Sequence, residues 1–461
     1  MVVPPAGPRC FSAIKPLLGR GSYISASGPL GVKNYLDCAT GLDSNTIGHA
    51  NERVVRAVQD QAGRISHAHA FAPANAPYVT DTADLLKSIT PPNLSRTYFA
   101  NSRSEAVEYA VKLARTVTRR PNVIAFNGGY HGWTSGAASV SSFKGRSQRA
   151  SQGSIVLPAG VLFTEYPRCL GCKYREFAAS TYYTLPVHMR KQWKYDKLNT
   201  VRGVSQRSQA ACCEQYAESI EQLLLSTVAP DDVAAIIVEP ILGEAGVITP
   251  PSGFLRKLRE IADEHGIMLM YDESQSGAGR TGEWWSFEHW SDPKDAAIGD
   301  VAPDVLIWGK GIASGYPISG LVTSEQVYET LGSKSLGTQW NHGGSCTSMA
   351  AASATIRYMI DENVIENVRA RAGEIHVSLK GLADLYPIKD VRGRGLMIGV
   401  DFADDNVANR IVDAAAAQGL LLISGGSSSS SIRILPPLNV TRGEVAKIME
   451  RFESTMKDVF H

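Results

Sequence analysis

Two residues placed at the ends of apolar runs are the first sign of chemistry in this chain. Asp272 follows IMLMY and opens DESQSGAGRTG, while Lys310, 38 positions later, follows VLIWG in VLIWGKGIASGYP. A lysine amine can condense with an aldehyde and carry a proton. A carboxylate can hold a pyridine nitrogen protonated, so that the ring accepts electrons from a substrate carbanion. Together these are the needs of pyridoxal phosphate chemistry. Taken singly, each residue is better explained by an acid capping a loop or a lysine at the surface. The pairing, with glycine-rich segments upstream, shifts the balance toward a cofactor site.

Three further segments carry candidate groups. In FANSRSEAVE (99–108), Ser102, Arg103 and Ser104 stand where a strand turns into a helix, and free amides at a helix N-terminus seat a phosphate. A plain Ser102 cap with Glu105 in the first turn explains the same residues, and Arg103 either adds a contact to phosphate or is solvated. In NGGYHGWTSG (127–136), paired glycines allow a tight turn that presents Tyr130 and His131, and an aromatic ring there can stack on a planar cofactor. In VEPILGEAGV (238–247), Glu239 and Glu244 lie beside a buried strand end, where carboxylates need a cation. The candidate cations are Arg280 in GRTG and Arg433 in SIRILPP. Arg433 sits in an apolar strand, so either a carboxylate side chain or a substrate carboxylate should meet it. A structural salt bridge stands as an equal alternative.

The elements that must position these residues follow from the hydrophobic pattern. Candidate strands are 96–101, 122–128, 233–241, 267–274, 304–309 and 318–324, and runs such as AAIIV and IMLM suit strands buried on both faces. SEAVEYAVKLARTVT (104–118) and FLRKLREIADEHG (254–266) show helical periodicity, the second stopping at Gly266. The expectation is an α/β protein with a mostly parallel sheet. Residues 140–215 break the rhythm and read as a long excursion that serves as a lid or an oligomer contact. A long helix after 346 leads into a smaller α+β unit. The expected division is an N-terminal segment 1–70, a large cofactor domain 71–345 and a small domain 346–461.

Composition narrows the function classes. A chain of 461 residues with 44% hydrophobic and 20% charged residues is an ordinary globular composition. A formal net charge of +1 argues against a nucleic-acid partner held by phosphate neutralisation. No apolar run reaches the length of a membrane span. The basic N-terminus does not read as a secretory signal; the cytoplasm is the expected location, with a short organelle-targeting peptide left open. Seven cysteines suit a reducing compartment. Cys169 and Cys172 form a CxxC, but the adjacent Cys212 and Cys213 lack the second such spacing, so no metal is expected.

In order along the chain, FANSRSEAVEYAVKLAR, FNGGYHGWT, IIVEPILGEAGV, YDESQSGAGRTG, GKGIASGYPISG, VRGRGLMIGVDF and IRILPPLNVTRGEV resemble the class III pyridoxal phosphate-dependent aminotransferases, in particular the 4-aminobutyrate and acetylornithine/ornithine branch. The likeness runs from about Tyr23 to the C-terminus, leaving out most of the excursion. It implies fold type I, with a seven-stranded sheet in the large domain, and a homodimer with shared active sites. It also implies Lys310 as Schiff-base lysine and proton shuttle, and Asp272 on the pyridine nitrogen. Gln275 would meet the phenolic oxygen, Tyr130 the ring face, and Ser102, Arg103 and Ser104 the phosphate, with His131 and Glu239 also at the cofactor. Glu244 and Arg433 match a gate that exchanges one carboxylate for another.

The chain departs from the family pattern at three places. Arg103 stands where glycine is usual, and Ser274 where an apolar residue packs under the ring. GTQWNHGGSC puts Asn341 where a threonine usually meets the partner's phosphate, unless a gap restores Thr338. Tyr23, Trp133 and Trp340 are candidates for the substrate pocket. The implied reaction moves an amino group from an amine or ω-amino acid to 2-oxoglutarate or pyruvate. An aminomutase, a racemase, a dialkylglycine-type decarboxylase and an inactive scaffold of the same fold are the alternatives.

Overall fold

A computed structural model describes residues 14–28, 31–65, 76–143, 157–167, 219–291, 301–332, 343–404, 407–426 and 431–461. The centre of the molecule is a sheet of seven strands: β4 (Arg96–Ala100), β5 (Asn122–Phe126), β6 (Val161–Thr164), β7 (Val233–Val238), β8 (Met268–Asp272), β9 (Val305–Trp308) and β10 (Ser319–Thr323). Their spatial order is β4-β10-β9-β8-β7-β5-β6. β10 runs antiparallel to both β4 and β9, and the other described pairings are parallel. The six strands anticipated from apolar runs all form. The seventh, β6, comes from inside the 140–215 excursion, so part of that stretch belongs to the sheet.

The continuous apolar strands are buried on both faces because helices cover both sides. Every residue of VAAIIV in β7 is buried. From Ala235 onward its alternate positions go to different cores, Ala235 and Ile237 to one and Ile236 and Val238 to the other. Neighbouring strands alternate in register, with Met270 and Ile307 on the first side and Leu269, Tyr271, Leu306 and Trp308 on the second. The helix Arg103–Thr118 seals the first side through Ala106, Val107, Ala110, Val111, Leu113 and Ala114. The helix Phe254–His265 covers the second through Phe254, Leu255, Leu258 and Ile261, then stops at Gly266 in the left-handed region. Full burial of each large aliphatic side chain contributes about 1.5–3 kcal/mol.

Two smaller sheets flank this layer. The N-terminal strands β1 (Lys15–Arg20), β2 (Tyr23–Gly28) and β3 (Gly31–Asp37) form an antiparallel meander. The C-terminal strands are β11 (Ile388–Arg394), β12 (Met397–Phe402), β13 (Leu420–Leu421), β14 (Ile423–Gly425) and β15 (Ser431–Ile434). β13 pairs in parallel with β3, which ties the chain's beginning to its end. The sheet β11-β12-β15-β14 carries Arg433 at its buried centre. Among the described residues no helix is long and apolar enough to cross a membrane.

Candidate active site

The parallel strands all end on one edge of the large sheet, the usual place for a ligand in such a fold. Asp272 is the last residue of β8, Lys310 follows β9 after one glycine, Glu239 follows β7, Ser102 lies just beyond β4 and Tyr130 beyond β5. The sequence spacing thus becomes a cluster because each residue directly follows a strand. Lys310 takes a positive φ of 41°, a strained backbone for a side-chain-bearing residue. The next residue must be glycine: a Cβ on Gly311 would come within 2.4 Å of Thr46 Oγ1.

The centre of the cluster is the buried Asp272 carboxylate. Oδ2 accepts from Arg103 Nε at 2.7 Å, lies 2.7 Å from Arg103 Nη2, and meets His131 Nδ1 at 2.7 Å. Oδ1 accepts from the Ser274 backbone amide at 3.1 Å. Arg103 Nη2 also lies 3.2 Å from Glu239 Oε2, and the guanidinium sits over the Tyr130 ring at 5.3 Å. Burial would raise the Asp272 carboxyl, but Arg103 and then His131 hold it far below the usual range. Burial works against the Arg103 charge too, yet Asp272 and Glu239 raise its affinity for the proton further. Burial, followed by the positive field of Arg103, lowers the pKa of Lys310; Glu244 and Asp43 oppose them.

A second charged pair faces the same lysine. Arg433 Nη1 and Nη2 donate to Glu244 Oε1 and Oε2 at 3.0 and 3.3 Å, a two-pronged fork. Burial would raise the Glu244 carboxyl, but Arg433 and then Lys310 hold it down at about 2. The turn that carries Glu244 is clamped by Arg392, which donates from Nη2 and Nε to Gly246 O at 2.6 and 2.9 Å and is itself paired with Asp401 at 2.6 Å. Gly246, at φ 103°, leaves no room for a Cβ beside Ser431 and Arg392. Arg280, the other arginine singled out in the sequence, pairs instead with Asp43 at 2.5 Å. It also donates to the carbonyls of Pro436 and Leu396 at 2.6 and 3.2 Å.

The remaining candidates divide clearly. Ser102 caps its helix by accepting from the Glu105 amide, and Ser104 Oγ accepts from the Trp133 amide. The Arg103 and Ser104 amides, as the first in the helix, have no intrahelical acceptor. The Arg103 side chain is not solvated: it is buried on Asp272, because two carboxylates and an aromatic face attract it inward. Glu239 braces the site, accepting from the Tyr130 and Gly243 amides at 2.8 and 3.2 Å. Trp133 is more than half exposed and packs edge-on against Tyr130, and Tyr23 is half-buried on β2 opposite Leu36. Asn341, Thr338, Trp340 and the four cysteines Cys169, Cys172, Cys212 and Cys213 lie outside the described residues. Sequence reading missed Asp43 and Arg392. TGLDSN gives no hint of burial, whereas Arg392 between apolar and glycine residues in VRGRG could have been questioned as Arg433 was.

The residues fit pyridoxal phosphate. Both side-chain amide atoms of Gln275 and the hydroxyl of Ser274 are buried beside Asp272 with no protein partner, as groups awaiting a polar ligand would be. The half-buried lysine and the buried acid complete the cradle. Arg103 and His131 are already seated on Asp272.

A seven-stranded sheet with one reversed strand, and a lysine and a buried aspartate at its carboxyl edge, define a fold type I pyridoxal phosphate-dependent enzyme. Residues 19–456 match the family model described as Aminotransferase class-III, and the chain belongs to that family, whose members depend on pyridoxal phosphate. It is 31% identical to an alanine/serine racemase of Pyrococcus horikoshii, over 99% of this chain and 92% of that protein. It is 32% identical to the acetylornithine aminotransferase of Methanopyrus kandleri, over 92% of this chain and 90% of that one. Its fold matches a thermostable 6-fold mutant of the omega transaminase from Pseudomonas jessenii with a TM-score of 0.82 at 23% identity, covering 100% and 96% of the two chains.

Proposed function

We propose that the protein is a transaminase that removes an amino group from an amine or ω-amino acid and delivers it to 2-oxoglutarate or pyruvate, the two half-reactions sharing one site. The Glu244–Arg433 fork carries this reading. An arginine held by a carboxylate that still reaches solvent can trade that carboxylate for the one on an incoming dicarboxylate. With an amine donor the fork stays closed and presents no net charge; with 2-oxoglutarate it opens and Arg433 binds the distal carboxylate.

Pyridoxal phosphate, when bound, supplies the electron sink for making and breaking the carbon–nitrogen bond. Lys310 would hold it at the aldehyde, Asp272 at the pyridine nitrogen, Gln275 at the phenolic oxygen and Tyr130 at the ring face. The amides of Arg103 and Ser104 at the Ser102-capped helix would hold its phosphate, and Asn341 would donate to the phosphate in the partner subunit. Lys310 Nζ, whose charged form burial disfavours, takes a proton from one substrate carbon and returns it to another position. His131 keeps the Asp272 carboxylate oriented, and Glu239 fixes the turn that presents Tyr130. Trp133 and Tyr23 contribute to the amine pocket. We further assign the chain to a cytoplasmic homodimer with shared sites, divided into residues 1–70, 71–345 and 346–461; the pairing of β3 with β13 supports placing the N-terminal segment against the small domain.

The test is a donor panel. Incubation with 4-aminobutyrate or an aryl-alkyl amine, with 2-oxoglutarate or pyruvate as acceptor, should yield glutamate or alanine. No conversion with any pair of donor and acceptor overturns the assignment. The likeness to an alanine/serine racemase supports a second reading, in which one amino acid is inverted and no oxo acid is consumed. Inversion of L-alanine or L-serine in the absence of any oxo acid would favour it.

A further inference from the structure

We propose that Arg103 is a built-in competitor for the cofactor: its guanidinium occupies Asp272 and the Tyr130 ring face until pyridoxal phosphate displaces it. The inference rests on the reading of this site as a pyridoxal phosphate site, and it concerns what this particular chain has placed there.

Three observations converge. First, the first residue of a helix normally has an easy route to water, yet Arg103 is buried and turned into the site. Second, its contacts are those a protonated pyridine would need. A guanidinium and a pyridinium are both planar cations with in-plane N–H donors, so one carboxylate and one aromatic face serve either of them. Arg103 uses the carboxylate of Asp272 at 2.7 Å and the face of Tyr130 at 5.3 Å. Third, the rest of the cradle is unanswered. The Gln275 amide and Ser274 hydroxyl have no partner, while Asp272 Oδ2 is already crowded by Arg103 and His131. A carboxylate oxygen has about two lone-pair sites, so a further donor on Oδ2 displaces one already there.

The arrangement has a cost and a use. Without Arg103, the cofactor-free chain would bury Asp272 and Glu239 with only His131 and their amide donors to answer them. With Arg103 on Asp272, the charges of the cofactor-free protein are paired, and cofactor uptake must break a buried ion pair before it gains its own. Cofactor affinity in this chain is therefore set by an exchange, and Arg103 acts as a gating residue with no part in the chemistry.

The test uses full-length protein stripped of cofactor and titrated with pyridoxal 5'-phosphate, followed by visible absorbance and tryptophan fluorescence. Arg103→Gly should lower the Kd for pyridoxal phosphate at least about tenfold, in line with removal of a competing buried charge pair. The same substitution should lower the thermal midpoint of the cofactor-free protein. In an Asp272→Asn background, where the guanidinium keeps only its longer contact to Glu239, Arg103→Gly should tighten binding much less. A merely bulky side chain would obstruct equally in both backgrounds, so tightening of the same size there overturns the inference. Unchanged or weaker binding by a folded Arg103→Gly overturns it as well. Should the glycine variant fail to fold, Arg103→Gln gives the same reading, tighter binding supporting the exchange and equal or weaker binding refuting it. If neither the wild type nor any variant takes up pyridoxal phosphate, the cofactor reading fails, and the exchange with it.

Discussion

Arg280 and Arg433 are both buried and each faces a carboxylate that feels the charge of Lys310, yet they are tied in opposite ways. Arg280 is sealed between Asp43 and two backbone carbonyls, with 1% and 4% of the two side chains exposed. Arg433 has its carboxylate and one long contact to the Ser424 carbonyl at 3.5 Å, and a fifth of the Glu244 side chain reaches solvent. The electrostatics follow the geometry. For Asp43, burial outweighs Arg280 and the carboxyl is raised; for Glu244, Arg433 and Lys310 outweigh burial and the carboxyl falls to about 2. A sealed pair gains little from ionisation and serves to join the N-terminal segment to the loop after β8. A pair that keeps one open side holds a fully charged carboxylate that can leave. The number of acceptors and the access of water thus separate a structural arginine from an exchangeable one.

The largest effect should come from breaking the sealed pair. Arg280→Met strands the Asp43 carboxylate in a dry site and should cost about 3–5 kcal/mol of unfolding free energy, measured by urea denaturation. A loss below about 1 kcal/mol would show that Asp43 finds relief elsewhere and that the two arginines are not different in kind. Breaking the open pair should act on function instead. Arg433→Ala lets Glu244 turn to solvent, so the unfolding midpoint moves little, while kcat/KM for 2-oxoglutarate falls about 10²–10³-fold and that for pyruvate far less. Equal losses with both acceptors would remove Arg433 from dicarboxylate recognition.

The same contrast explains what could be read in the sequence. Lys310, Asp272 and Glu239 were legible because each follows a strand marked by a continuous apolar run, and strand ends share one edge. Arg433 was legible because a charge inside an apolar strand demands a partner. Asp43 was not, since TGLDSN looks like any polar turn and its partner Arg280 is distant in the chain. β6 was hidden because a four-residue strand, VLFT, lies inside a Ser- and Arg-rich stretch, and only pairing with β5 gives it an identity. Arg103 was legible as a departure but not as an occupant. NSRSE looks like a capped helix with a solvated first residue, and the pull of Asp272, Glu239 and Tyr130 comes from three other strand ends.

The smallest expected effect, and the one that tests the electrostatic half of the comparison, is the acid response of the two carboxylates. Glu244 has a folded-state pKa of about 2 against an ordinary 4.5, so its contribution to stability is complete above about 4.5 and is lost as pH falls toward 2. Asp43 is shifted the other way. Its contribution is present when protonated, below the ordinary carboxylate range, and is lost as pH rises through its raised folded value. Acidification should therefore weaken the open pair while easing the sealed one. In practice the unfolding free energies of wild type and Glu244→Gln should differ by a constant amount from pH 8 to 5 and converge between pH 4.5 and 2. Allowing for solvent at a partly exposed carboxylate, the gap closed is on the order of 1–2 kcal/mol. A difference that stays the same at pH 3 and pH 7 would mean that Glu244 is not held ionised by Arg433, and the distinction between the two pairs would then rest on packing alone.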